Sequence, residues 1–246
     1  MADDYQAETY GDRIAEVYDD WYAEAPFLDT EASVELLAEL AGDGPVLELA
    51  IGTGRLALPL AARGLEVHGI DASEAMVAKL RAKPGGTDIP VTMGDFADVG
   101  VEGAYPLIFV AFNTLFGLTS QEAQLRCFRN AAAHLDDGGV FLIDVFVPDL
   151  TRFDRNQRVQ VNKLDTAEVQ LDASRHDPVK QRIDTDHVVF TEHGTKLYPV
   201  FLRYAFPAEL DLMATVAGLE LKHRWAGWKK EEFGKDSHRH VSVYGR

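Results

Sequence analysis

Apolar residues along this chain follow two rhythms, which change over near Pro148. Before that point, compact apolar runs at residues 46–50, 65–70, 89–93, 107–112 and 140–145 read as buried strands. Between them, residues 30–41, 55–63, 73–82 and 121–135 carry apolar side chains three and four positions apart, the spacing of one helix face. In the first of these helices the face is Val34, Leu37, Leu40 and Ala41; in the last it is Leu125, Phe128, Ala132 and Leu135. The box Thr119-Ser-Gln-Glu122 caps that last helix and Gly138-Gly139 ends it. Strands alternating with helices build βαβ units, so the pattern predicts an α/β fold around a parallel sheet.

After Pro148 the rhythm shortens to two. Residues 159–164, 167–171, 181–190 and 197–206 are polar, alternating and β-prone, with turns at Asp177-Pro178 and His193-Gly194, which predicts a small four-stranded antiparallel sheet. On its last strand Tyr198, Val200, Leu202, Tyr204 and Phe206 share one side and Arg203 takes the other. From Pro207 the first rhythm returns, with a helix at 208–217 stopped by Gly218 and strands at 219–225 and 240–244. Near the start, Ile14, Val17, Tyr18, Trp21 and Tyr22 have helical spacing, in a stretch that also holds Tyr5, Tyr10 and Phe27. An amphipathic helix there needs a surface for its apolar face. The expected organisation is one domain: a main α/β part at residues 1–148, a β insertion at 149–206 and a return to the main sheet at 207–246.

At 246 residues with 46% hydrophobic content, the chain can bury a full core. No apolar run approaches the roughly 18 residues of a membrane span, and the first residues are neither basic nor apolar, so a soluble, cytoplasmic protein is expected. The single cysteine, Cys127, lies within a predicted helix and reads as a small buried apolar residue. Charge is uneven: residues 1–150 hold 8 Lys and Arg against 26 Asp and Glu, a net of −18, whereas residues 151–246 hold 16 against 14, a net of +2. So acidic a surface repels nucleic acid and anionic lipid, so neither is an expected partner.

The candidate chemistry begins where the first strand ends. The run from Pro45 to Gly54 passes through Gly52 and Gly54 into a helix; glycines there let the backbone turn sharply and approach a ligand at the N–H groups of the helix start. The second strand ends in Asp71, seventeen positions beyond Gly54, where a carboxylate can accept hydrogen bonds from both hydroxyls of a ribose. Together these residues describe an adenosine site at the carboxyl ends of parallel strands. Two cofactor classes use that plan. A dinucleotide site wants a third glycine, where this chain has Ala57, and its pyrophosphate would meet Glu48 inside the first strand. An ammonium or sulfonium would suit that carboxylate.

In Glu48-Leu-Ala-Ile-Gly-Thr-Gly54, Gly69-Ile-Asp71-Ala-Ser73 and Gly94-Asp95-Phe96, the chain resembles class I S-adenosylmethionine-dependent methyltransferases, over about residues 46–148. The resemblance implies S-adenosylmethionine as cofactor, S-adenosylhomocysteine as product, and a Rossmann-like seven-stranded sheet ordered 3214576 with an antiparallel pair at its end. It implies that Glu48, Ala50, Gly52, Thr53 and Gly54 hold the amino-acid end of the cofactor and Asp71 its ribose. Ala72 and Met76 would pack on the adenine, Asp95 and Phe96 would meet its amine and ring face, and Ala111 and Asn113 would lie where donor and acceptor meet. Tyr18-Asp19 resembles the start of a helical lid, which adds Tyr18 to the cofactor set. The substrate set is then Trp21, Tyr22, Phe116, Phe146, Arg203 and Trp228. In such enzymes an insertion of this kind roofs the substrate pocket or mediates homodimer contacts. Outside the cofactor half the chain is similar to bacterial N,N-dimethyltransferases of nucleotide-linked deoxyamino sugars, and more distantly to glycine N-methyltransferase.

The expected reaction is an SN2 methyl transfer to nitrogen or oxygen of a small acceptor, such as an amino sugar or another secondary metabolite. Alignment of the reacting atoms supplies roughly 7–11 kcal/mol, so a strong base is optional. Tyr18, Tyr22, His187, His193 and His238 are the candidate proton acceptors, and the sequence does not choose among them. His238-x-His240 puts two imidazoles on one side of a strand, but only Asp236 adds a donor nearby, so no metal is expected. Two competing readings are an NAD-dependent oxidoreductase, which Ala57 and Glu48 count against, and a noncatalytic adenosyl-ligand-binding protein, which the intact glycine loop counts against.

Overall fold

The computed structural model of the chain describes residues 5–22, 28–98 and 100–246; Phe27 lies outside them. Two short helices, α1 (Thr9–Ile14) and α2 (Tyr18–Tyr22), precede α3 (Thr30–Ala41). Strands and helices then alternate through β1 (Val46–Leu49), α4 (Ala57–Ala62), β2 (Val67–Asp71), α5 (Glu74–Arg81), β3 (Val91–Met93), β4 (Tyr105–Val110), α6 (Gln121–His134) and β5 (Leu135–Phe146). Four consecutive strands follow: β6 (Gln157–Leu164), β7 (Glu168–Asp177), β8 (Arg182–Thr191) and β9 (Gly194–Arg203). Helix α7 (Pro207–Val216) and strands β10 (Glu220–Trp225) and β11 (Arg239–Gly245) close the chain.

The main sheet has the order β3-β2-β1-β4-β5-β11-β10, which is 3214576 when its own seven strands are counted. Val46 stands opposite Val67 on one side and Leu107 on the other in parallel register, while β11 enters antiparallel, with Val243 opposite Leu142. Alternation along β4 divides the core into two layers. Leu107 and Phe109 join Val34, Leu37 and Leu60 of α3 and α4; Ile108 and Val110 join Phe128, Leu210 and Met213 of α6 and α7. Covered on both faces, β1 is buried at every position, as a central parallel strand must be. Strands β6 to β9 form the separate antiparallel sheet in sequence order. Among the described residues no helix is long and apolar enough to cross a membrane.

Three local expectations are corrected. The N-terminal helix is two helices. Gly11 lets α1 close on the start of α5, where a Cβ would lie 2.5 Å from Ser73 Cβ, and α2 then turns so that Trp21 meets Tyr198 of β9 at 5.0 Å between rings. The cap of α6 is Ser120 rather than Thr119: its hydroxyl accepts the Ala123 N–H at 3.1 Å. Gly138-Gly139 does not end that helix, because Leu135 is already extended and paired with Tyr105. The glycines instead sit in an irregularity of β5, where a Cβ on Gly139 would lie 2.7 Å from the Tyr105 carbonyl.

One core group carries a pH-dependent consequence. His240 of β11 is fully buried, its Nδ1 lies 2.8 Å from Ser242 Oγ, and its Nε2 has no hydrogen-bond partner among the described residues. Burial pushes the imidazole pKa down to about 3, and the Arg224 guanidinium acts in the same direction. The unfolded chain therefore takes up this proton as pH falls below about 6.5 while the folded chain resists until about 3, so stability is lost with acidification across that window. Urea midpoints at pH 7.5 and pH 5 should drop further for the wild type than for His240→Leu. Equal drops would remove His240 as a source of acid sensitivity.

Candidate active site

The cavity floor is made by loops at the carboxyl ends of β1, β2 and β4. Past β1 the backbone enters the left-handed region at Ala50 and again at Gly52, both with φ 58°. The turn is held by Asp71 at the tip of β2: its Oδ2 accepts the Gly52 N–H at 2.7 Å and its Oδ1 the Ser73 N–H at 2.8 Å. Burial raises the Asp71 pKa, against the backbone N–H groups of Ser73, Gly52 and Ala72, which favour the carboxylate. Gly54 has a different task from the expected one. With φ 80°, its missing side chain would lie 2.4 Å from Leu80 Cδ1, so it seats α5 beneath the loop and faces away from the cavity.

At the end of β4, Phe112 and Asn113 also turn left-handed, with φ 59° and 64°. Non-glycine residues held there cost about 1–3 kcal/mol each, so their surroundings must hold them. Asp144 does so, its Oδ2 accepting the Phe112 N–H at 3.0 Å and its carbonyl the Asn113 N–H at 2.9 Å. Asn113 Oδ1 in turn accepts the Phe146 N–H at 2.7 Å, binding the ends of β4 and β5 together.

These loops open on a cavity of about 890 Å³, and every residue expected at the cofactor except Gly54 lines it: Tyr18, Glu48, Ala50, Gly52, Thr53, Asp71, Ala72, Met76, Asp95, Phe96, Ala111 and Asn113. Glu48 is only 6% exposed and its Oε2 has no hydrogen-bond partner among the described residues. Burial pushes its pKa up to about 8, opposed by the Arg55 guanidinium and the Ala57 N–H and reinforced by Asp71. Arg55 also lines the cavity, and the sequence reading missed it. Its signal was a lone cation directly after the glycine loop.

Helices α1 and α2 cover the cavity from the side. Asp19 accepts the Thr53 hydroxyl at 2.6 Å and pairs with Lys83 at 2.8 Å, while Ser73 donates to Asp12 at 2.6 Å; α2 is thus fastened to the loop after β1 and α1 to the start of α5. Tyr18 and Tyr22 line the cavity as well. Burial raises the Tyr18 pKa to about 12 and that of Tyr22 upward too, with Asp172 adding to the latter, so neither hydroxyl ionises near neutrality. Of the other proposed proton acceptors, only His187 faces the cavity. His193 stands at the β8–β9 turn with an 87% exposed side chain, and His238 is not part of the wall.

The expected substrate residues divide. Tyr22 and Phe146 line the cavity. Trp21 lies behind it, edge-on to Tyr198 and His187, and Phe116 is fully buried against Phe146. Arg203 is withdrawn from it, donating to Gln124 at 2.7 Å and to Glu209 at 2.5 Å within a buried joint between β9, α6 and α7. Trp228 is 6% exposed and belongs to the core layer beneath α3, because the segment between β10 and β11 folds back onto that layer. The sequence reading missed Asp172, Ser174 and Thr185, which face the cavity from β7 and β8 beside His187. Their signal was a period of two in polar residues on strands expected to roof a pocket.

Comparison with known proteins places this geometry. Residues 46–139 match the family model of the methyltransferase domain. The CcbJ methyltransferase from Streptomyces caelestis is 44% identical over 98% of each chain, with a TM-score of 0.91. The cypemycin N-terminal methyltransferase of Streptomyces sp is 29% identical over 180 residues, 72% of either chain. The S-adenosylmethionine-bound amino pentose methyltransferase CalS10 from Micromonospora echinaspora shares the fold at a TM-score of 0.69 and 18% identity, covering 92% of this chain and 96% of its own.

The residues present fit that cofactor. An unpartnered buried Glu48 oxygen beside Arg55 suits an ammonium and a carboxylate side by side, and Asp71 keeps a lone pair on each oxygen for a ribose. A pyrophosphate would face Glu48, Asp71 and Asp95 instead. The chain belongs to the S-adenosylmethionine-dependent methyltransferases, and S-adenosylmethionine is its cofactor.

Proposed function

We propose that the chain methylates a nitrogen or oxygen atom of a small molecule held beneath the β6–β9 sheet. The observation that carries this is one cavity with two kinds of wall: the loops after β1, β2 and β4 on one side, and Asp172, Ser174, Thr185 and His187 of the small sheet on the other. At about 890 Å³ it lies within the roughly 300–1,000 Å³ of small-molecule sites. The names of CalS10 and the cypemycin enzyme, an amino pentose and an N-terminus, support an acceptor of the amino-sugar or secondary-metabolite kind.

Bound here, S-adenosylmethionine supplies a methyl group on a sulfonium centre, and the protein's contribution is placement. Asp71 would hold the ribose hydroxyls, Glu48 and Arg55 the amino-acid end, and Met76 with Phe96 the adenine. Helices α1 and α2 keep water from the reacting atoms. Calorimetric titration with S-adenosylhomocysteine tests the assignment: Asp71→Asn should bind about 10- to 100-fold more weakly, the loss expected for hydrogen bonds to a charged group. NAD should give no heat. Binding of NAD, or unchanged affinity in the variant, would overturn these roles.

Glu48 adds a proton to that titration. With a pKa near 8 it is mostly protonated at neutral pH, and an ammonium beside it favours the carboxylate. Binding should therefore release a proton at pH 7, seen as a buffer-dependent binding heat, and tighten between pH 6 and 7.5. Glu48→Gln should remove the Glu48 part of the release.

We further propose that the outer face of the small sheet joins two copies of the chain. Edge strand β6 exposes Val159, Val161 and Leu164 by 70%, 56% and 77%, and the register continues that surface through Leu197 and Phe190. This largely apolar face offers self-association without the repulsion that a net charge of −16 imposes elsewhere. Sedimentation at micromolar concentration should give a dimer for the wild type and a monomer for Val161→Lys with Leu197→Lys. A monomeric wild type would end the proposal.

A further inference from the structure

We propose that the methyl acceptor is an aliphatic amine arriving as an ammonium ion, which Asp172 attracts and His187 deprotonates. The inference rests on the reading of the cavity as the acceptor site and narrows it from nitrogen or oxygen to nitrogen. Asp172 on β7 and His187 on β8 are directly opposed in register, with Oδ1 and Nδ1 2.5 Å apart. Asn162 of β6 donates its amide to the same Asp172 oxygen at 2.7 Å. Three successive strands thus hold one carboxylate from two sides. Asp172 Oδ2 has no partner among the described residues, and both members of the pair line the cavity.

The pairing settles which imidazole nitrogen is available. An ionised carboxylate only accepts, so the neutral His187 carries its proton on Nδ1 and a lone pair on Nε2. Asp172 is a positioning residue in the sense that the carboxylate of a catalytic triad is. In register with His187 stand Asp172 of β7 and Tyr198 of β9, and Tyr22 of α2 and Arg152 line the same cavity. Arg152 lies over the Phe153 ring at 5.7 Å and interacts electrostatically with Asp172, without an ion pair between them among the described residues. The Asp172 carboxylate, one of its oxygens without a partner among the described residues, thus faces the cavity.

That charge discriminates between acceptors. An ammonium is drawn to Asp172 and loses a proton to His187 Nε2, leaving a neutral amine and an imidazolium. The amine lone pair then forms the N–C bond as the C–S bond breaks, its electrons staying on sulfur, and the positive charge passes from sulfur to nitrogen. Asp172 compensates the cation before and after. A neutral hydroxyl instead brings no charge for Asp172 to attract and has to give up its proton during the methyl transfer itself. On an open surface an Asp–His pair would count for little; this one forms the roof of the site.

The isosteric probes cyclohexylamine and cyclohexanol test the proposal on the full chain saturated with S-adenosylhomocysteine. Imidazole nitrogen resonances, with that of His187 identified by its loss in His187→Gln, should show the Nδ1–H tautomer and should move on adding the amine. The amine should bind at least about tenfold more tightly than the alcohol, and Asp172→Asn should abolish both the preference and the single tautomer. With S-adenosylmethionine, the product should be N-methylcyclohexylamine. His187→Gln should slow its formation about 100-fold at pH 7, with the deficit shrinking as pH approaches the amine's own pKa of about 10. A purely structural role would give a deficit independent of pH. No preference in the wild type, binding of neither probe, O-methylation, or a pH-independent deficit would overturn the proposal. Failure of the wild type to bind S-adenosylhomocysteine would instead undo the underlying reading of the cavity.

Discussion

The site depends first on one buried carboxylate with two backbone partners. Asp71 draws the Gly52 and Ser73 N–H groups together, and so ties the loop after β1 to the tip of β2. Without it two buried N–H groups would lack partners, at a cost of about 1–3 kcal/mol each, and the floor of the cavity would lose its shape. The same carboxylate is the group proposed above to hold a ribose. In that proposal structural and binding roles coincide, because an oxygen with two lone pairs can serve the fold with one and a ligand with the other.

A second constraint repeats this logic at the end of β4. Phe112 and Asn113 adopt left-handed conformations that Asp144 and the Asn113 side chain stabilise by bonding to neighbouring backbone. Local strain is thereby offset at the wall of the cavity. Fixed loops suit a reaction whose catalysis rests on alignment, since an SN2 displacement requires nucleophile, carbon and leaving group in line.

The roof is built by other means. Four antiparallel strands place polar side chains at alternate positions over the cavity, and their opposite face remains largely apolar. Helices α1 and α2 close the gap between roof and floor through contacts to both: Asp19 to Thr53 and Lys83 below, Trp21 to Tyr198 and His187 above. A ligand entering the cavity is surrounded by three elements from distant parts of the sequence.

Periodicity made the sheet, its flanking helices and the small antiparallel sheet legible in the sequence, because runs of buried side chains repeat with the geometry of each element. The loops of the cavity floor were legible for a related reason: a tight turn into a helix requires particular residues at fixed spacing, so Glu48, Gly52, Asp71 and Asp95 could be grouped without coordinates, and all four line the cavity. The residues of the opposite cavity wall carry no such local signature. Arg203 and Trp228 looked available, yet one is consumed by Gln124 and Glu209 and the other fills the core under α3. Asp172 and His187 are fifteen positions apart and meet only because β7 and β8 pair in that register. Local turn chemistry is written in adjacent residues, whereas the pairing of distant side chains is decided by strand register and by the packing of the lid against the sheet.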